Sequence, residues 1–159
     1  MNWRGKVLLW EEQGLFIGAA GTASLHESPA IKICISLENN FQLRASDNEQ
    51  WHHHTSAIIH AGTTHAIEGL GNKMAMLLLA PEGKLGQLLI PVTSENRITE
   101  ISTAVFEKIL PLMELFENSD IDGRAGGEAY QKVIELITTV AKNQENPAID
   151  FSPQVLKEG

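Results

Sequence analysis

The chain changes texture at Pro81, and that change limits the folds open to it more than any other feature. Before Pro81 the apolar residues come in short runs, often two residues apart, broken by Gly, Asn and Ser. Beyond it they recur in steps of three and four. A period of two marks a half-buried strand, and a period near 3.6 an amphipathic helix. The fold class that follows is mainly β with α, strands first and helices after.

In the first part, Lys6 to Trp10 and Leu15 to Ala19 read as two strands around a four-residue hairpin loop, Glu11 to Gly14. From Ile31 to Leu37, Ile31, Ile33, Ile35 and Leu37 share one face, with Lys32, Cys34 and Ser36 on the other. Glu38-Asn39-Asn40 is a turn, since Asn tolerates positive φ, and Phe41 to Arg44 returns as the partner strand. Ala57 to His60, His65 to Ile67 and Lys73 to Ala80 continue the pattern, for six to eight short strands of a sandwich or barrel. In the second part, Glu82 to Leu89 reads as a short helix. Ile101 to Glu117 carries one apolar row of Val105, Ile109, Leu112 and Phe116 and a second of Phe106, Leu110 and Met113. Pro111 is expected to kink or split it. Asn118 to Gly127 is a polar connection, and Tyr130 to Ala141 a second amphipathic helix, making an αα-hairpin. Two apolar rows are more than one sheet contact needs. We therefore expect a homodimer through Val105, Phe106, Ile109, Leu110, Leu112 and Met113. Ser152-Pro153 looks like a helix start that the chain does not finish, which suggests a fragment of a longer protein.

Composition excludes several function classes. Twenty acidic against twelve basic residues give a net charge of −8, so the chain would repel a nucleic-acid backbone. One cysteine excludes a disulfide framework and a multi-cysteine zinc site. No apolar run approaches the ~20 residues of a membrane-spanning helix, and the N-terminus carries no signal-peptide pattern. The expected compartment is the cytoplasm, and the 159 residues suffice for about one domain.

All six histidines (His26, His52, His53, His54, His60 and His65) lie before Pro81. Imidazole is the commonest metal ligand and a frequent acid or base. His60 and His65 flank the turn Ala61-Gly62-Thr63-Thr64, and His26, read as a loop residue, is placed to converge with them. His26, His60 and His65 would be the metal set if one exists; the other reading is of loop histidines making ordinary hydrogen bonds. His52-His53-His54 is a polar extended segment in which only His52 and His54 share a face. Trp51 beside it either walls a ligand or caps the fold. Cys34 reads as a small buried hydrophobe. No phosphate loop and no nucleophile elbow occur.

Taken in order, these segments resemble the N-terminal, cupin-like sensor domain of AraC-type transcription regulators. The carrying residues are Leu15-Phe16-Ile17-Gly18, His26, Ala30 to Leu37, Phe41 to Arg44, Ala57 to Ile67, and Leu77 to Glu82, over most of Leu15 to Leu89. The resemblance implies a small cupin-like β-barrel over residues 1–90 and a helical dimerisation arm over 91–145. Residues 146–159 would be a linker and the start of a missing helix-turn-helix half, through which alone DNA would be bound. It implies a small-molecule effector, with His26, Cys34, Trp51 and His65 as candidate binding residues, and no catalytic residue, cofactor or membrane partner. Metal-binding cupins carry His-x-His and then Glu in their first motif; here Ser28 stands at the second His and no Glu follows at short range. In the second motif, Pro-x-Gly-x-x-His, His60 replaces the Pro while Gly62 and His65 fit. The incomplete set disfavours the alternative, a stand-alone metal-dependent cupin isomerase or dioxygenase using His26, His60 and His65.

Overall fold

A computed structural model describes residues 2–93, 98–118 and 121–145. Among them the elements run β1 (Arg4–Trp10), β2 (Gln13–Ala19), β3 (Thr22–His26), β4 (Ile31–Ser36), β5 (Phe41–Arg44), β6 (His52–His54), β7 (Ser56–Ile59), β8 (His65–Glu68), β9 (Lys73–Leu79), α1 (Lys84–Thr93), β10 (Ile98–Glu100), α2 (Thr103–Glu117) and α3 (Gly123–Glu145). The strands make two antiparallel sheets, β1-β2-β9-β4-β7-β10 and β3-β8-β5-β6. The sheets face one another without closing into the expected barrel. The helices cover the outer face of the six-stranded sheet, so the order across the molecule is helices, large sheet, small sheet.

All six residues of β4 are buried, because this strand lies between β9 and β7 with both faces covered. Alternation then sorts its side chains. Ile31, Ile33 and Ile35 join Leu15, Ile17, Ile58, Leu77 and Leu79 against Leu89 of α1, Val105, Ile109, Met113 and Phe116 of α2, and Tyr130, Val133 and Ile134 of α3. Cys34 points the other way, into a second core between the sheets with Phe41, Leu43, Ala57, Ile59, Ile67, Met74 and Met76. Full burial of each large aliphatic side chain contributes about 1.5–3 kcal/mol, and the first core draws on all three helices. The helices are thus packed on the sheet rather than held apart as an arm. No structural break falls at residue 90 either, since α1 runs across it and β10 returns to pair with β7.

Several elements differ from the sequence reading. The β1–β2 hairpin closes through Glu11 and Glu12 alone, because Glu12 adopts φ +68°. Gly14 is therefore a strand residue opposite Leu9. His26, read as a loop residue, ends a strand, β3. Pro111 does not split α2, which runs unbroken from a Ser102 N-cap whose Oγ accepts from the Val105 amide at 3.3 Å. The Pro penalty, about 3 kcal/mol, is set against the burial of Val105, Ile109, Met113 and Phe116. Gly126 and Gly127 belong to α3, not to a connection. The expected linker over residues 146–159, with the Ser152-Pro153 helix start, lies outside the described residues. Among the described residues no helix is long and apolar enough to cross a membrane.

Candidate functional site

Three side chains from three strands meet between the sheets. β3 pairs with β8 in the register Thr22↔Glu68 and Ala23↔Ile67, then slips by one residue so that His26 stands opposite His65. An unbroken ladder would set His26 opposite Thr64. The bulge re-aims one side chain, as bulges do, and brings the two imidazoles to 4.4 Å between ring centres. Lys32, inward-facing on β4 like Cys34, reaches across from the large sheet.

The geometry assigns the protons. The Nδ1 atoms of His26 and His65 lie 2.7 and 2.8 Å from the carbonyls of Ser24 and Thr63. A carbonyl only accepts, so each Nδ1 carries the hydrogen and each Nε2 presents a lone pair. Both lone pairs meet Lys32 Nζ, at 2.9 Å from His26 and 3.0 Å from His65. Lys32 is only 7% exposed and His65 1%. Burial lowers the pKa of Lys32 below the usual lysine range, against a smaller upward pull from Cys34. Burial also lowers His65 to about 4; the hydrogen bond to Thr63 opposes this, and the Lys32 and His26 charges add to it. Burial raises Cys34 to about 12, so its thiol stays protonated and inert.

Lys32 also lines a cavity of about 290 Å³ whose other walls are Trp3, Phe16, Ala23, Ile67 and Met76. Trp3 sits edge-on to Phe16 at 5.4 Å and donates its indole N–H to the Thr22 carbonyl, so it touches both sheets. Lys32 is the one charged residue in an otherwise apolar lining, the pattern of a small-molecule site with a single orienting group. A larger hollow, about 680 Å³, follows the β5–β6 edge past His52, His53 and His54. Its histidines are engaged locally: His54 with Glu100 at 3.1 Å and His53 with Asn40 at 3.2 Å. We take the smaller cavity as the site because it adjoins a buried cluster of titratable groups.

Of the residues singled out in the sequence, His26 and His65 meet. Cys34 lies between the sheets on the same strand face as Lys32. Trp51 lies elsewhere: the Arg44 guanidinium covers its ring at 4.4 Å, and it lines neither cavity. His60 parts from the other two histidines and pairs with Thr93 Oγ1 at 2.8 Å. On β7, Ile58 faces the helices and Ile59 the small sheet, so the next residue returns to the helix side. A set of His26, His60 and His65 is therefore not assembled. The two Nε2 lone pairs that do converge are taken up by an amine, so the donor set does not fit a metal ion. Among the described residues no group of three or more His, Cys, Asp or Glu stands close enough to hold one. The expected dimer row is also divided. Val105, Ile109 and Met113 are buried in the protomer core and turned away from any partner. Phe106, Leu110 and Leu112 are only partly buried, and Leu115 is 47% exposed. Lys32 was not singled out, although a lysine inside an isoleucine-rich strand was the signal available.

No protein-family model matches the sequence, and no curated protein does. The fold does match solved structures. The AraC-like transcriptional activator CuxR superposes on 82% of the chain with a TM-score of 0.58 and 6% identity. A variant of ToxT from Vibrio cholerae in its apo form covers 84% with a TM-score of 0.59 and 8% identity. The matched parts are 52% and 57% of those proteins, so the chain spans about half their length. An RmlC-like cupin from Desulfovibrio desulfuricans matches 50% of the chain and 82% of its own length, with a TM-score of 0.39 and 14% identity. The chain thus shares the fold of the corresponding part of these AraC-like proteins.

Proposed function

We propose that this chain is the effector-sensing and dimerising part of an AraC-type transcription regulator, working in the cytoplasm. The observation that carries the reading is the buried Lys32–His26–His65 cluster beside an apolar cavity, in a fold shared with AraC-like regulators. A ligand in that cavity touches both sheets, since Lys32 and Met76 belong to one and Ala23 and Ile67 to the other. The opposite face of the large sheet carries α2 and α3 through one continuous core. A ligand preferring one spacing of the sheets would therefore bias the seating of the helices, by as much as its affinities for the two arrangements differ. Phe106, Leu110, Leu112 and Leu115 are the α2 residues left to meet a second copy. DNA, in this reading, is held by a further helix-turn-helix domain, and a net charge of −8 suits a part that does not itself contact phosphates.

Light scattering on the eluting protein tests the dimer, and thermal shift against small apolar compounds tests the sensing. We expect a dimer that Leu115→Glu converts to a monomer that still folds, as circular dichroism would show. We also expect at least one compound that raises the melting temperature, as any ligand of the folded state alone must. A strict monomer at high concentration, together with no stabilising compound, would overturn the reading.

A further inference from the structure

Lys32 is a buried amine without an acid. Among the described residues no ion pair joins it to a carboxylate. Its amino group meets two neutral imidazole nitrogens instead. A neutral amine has two N–H bonds and one lone pair. In that form, which burial favours, the two Nε2 atoms would accept both N–H bonds and the lone pair would be left free. The side chain also lines the apolar cavity. Desolvated lysines in apolar pockets are the ones that attack carbonyl groups.

We propose that Lys32 captures a small apolar aldehyde or ketone from the cavity as a reversible imine, with His26 and His65 relaying the protons. This rests on the sensing reading and supplies its class of effector. The Nζ lone pair attacks the carbonyl carbon, and the C–N bond forms as the π pair moves onto oxygen. One amine proton passes through an imidazole Nε2 to that oxygen. The C–O bond then breaks as the second amine proton follows, and one water leaves. Amine and carbonyl become imine and water, so no oxidant or reductant enters. Both protons that nitrogen must lose already lie against an acceptor. His65, whose pKa is lowered, releases a proton readily. Once formed, the imine removes the amine that ties β4 to β3 and β8, so capture changes the link between the sheets.

The test treats the whole chain with butanal and sodium cyanoborohydride at neutral pH and maps the butylated lysines by peptide mass. The surface lysines, such as Lys6, Lys84 and Lys132, serve as internal references in the same tube. Each unit by which Lys32 lies below them in pKa gives about tenfold more free amine. We therefore expect Lys32 to label faster than the reference lysines, and to slow in His26→Gln and His65→Gln while the reference lysines do not. Butanoate, which offers charge without a carbonyl able to form an imine, is run by thermal shift on wild type and Lys32→Met. Labelling confined to surface lysines overturns the imine. If butanoate then stabilises wild type and not Lys32→Met, the cavity binds an anion and the sensing reading stands without the imine. If no compound binds and no Lys32 adduct forms, both fall. The peptide map on wild type decides the imine even if a variant fails to fold.

Discussion

Removing one oxygen from Tyr130 tests whether the helices are part of the core or an appendage to it. Tyr130, on α3, is fully buried, and its hydroxyl lies 3.1 Å from the Gly14 carbonyl and 2.9 Å from the Leu78 carbonyl. Those two residues face each other across the β2–β9 ladder. Burial raises the hydroxyl's pKa well above its usual value, so it remains a donor at any ordinary pH. One proton serves one carbonyl at a time, so a single hydrogen bond is at stake, shared between two acceptors. Tyr130→Phe keeps the ring, which sits edge-on to Trp10 at 5.5 Å, and removes the donor. The loss is a net hydrogen bond plus part of the penalty for a buried unpaired carbonyl, together about 1–2 kcal/mol. For a chain of this size each kcal/mol moves the melting temperature by about 2–4 °C, so a fall of about 2–8 °C is expected. Tyr130→Ala removes the ring as well and should cost about 3–5 kcal/mol. Thermal melts followed by circular dichroism measure both. An unchanged melting temperature for the Phe variant would refute the hydrogen-bond argument. Two separate transitions in the Ala variant would refute the shared core.

Two further outcomes follow from local geometry. Gly86→Ala should destabilise although Ala favours helices by about 1 kcal/mol, because a Cβ there would stand 2.0 Å from the Ala80 carbonyl oxygen; a rise in the urea midpoint would show that α1 shifts freely. The lowered pKa of His65, about 4 against 6.5, means that the unfolded chain binds the extra proton between those values. Stability should then fall as pH drops from about 6.5 to about 4, with no further loss from this group below. Melts across that window should show a steeper decline for wild type than for His65→Gln, and equal slopes would count against a neutral buried His65.

Much of this architecture was legible in the sequence because periodicity reports which face of an element is covered. The alternation over Ile31–Leu37 and the apolar spacing over Ile101–Glu117 correspond to β4 and α2. Asn39 takes φ +57° at the turn that its chemistry suggested. Periodicity fails where pairing rather than burial makes the strand. β3, Thr-Ala-Ser-Leu-His, alternates only through Ala23 and Leu25, too short and too weakly apolar a run to stand out, and β8 supplies its ladder partners. β10 is three residues long and is held by β7. Nor does alternation say which face is inward when both are covered. Lys32, Cys34 and Ser36 look like an outer face, yet in the middle of a sheet packed on both sides no outer face exists.

The site was half legible for the same reason. His26 and His65 stood out by residue type, but what joins them is a one-residue slip between β3 and β8, and the composition of a strand does not encode a slip. His60 was separable in principle. Counting by twos from Ile58 puts it on the helix side, and counting by twos from Ile67 puts His65 on the inner side, so the two imidazoles on either side of one turn serve different cores. Lys32 carries the strongest argument that was missed. A lysine at the centre of Ile-Lys-Ile-Cys-Ile cannot snorkel to water if both faces are packed, and a buried amine costs several kcal/mol unless something compensates it. A fold that keeps it there must supply partners from another strand. Two histidines from the small sheet face the same way, and their acceptor nitrogens are where the amine is found.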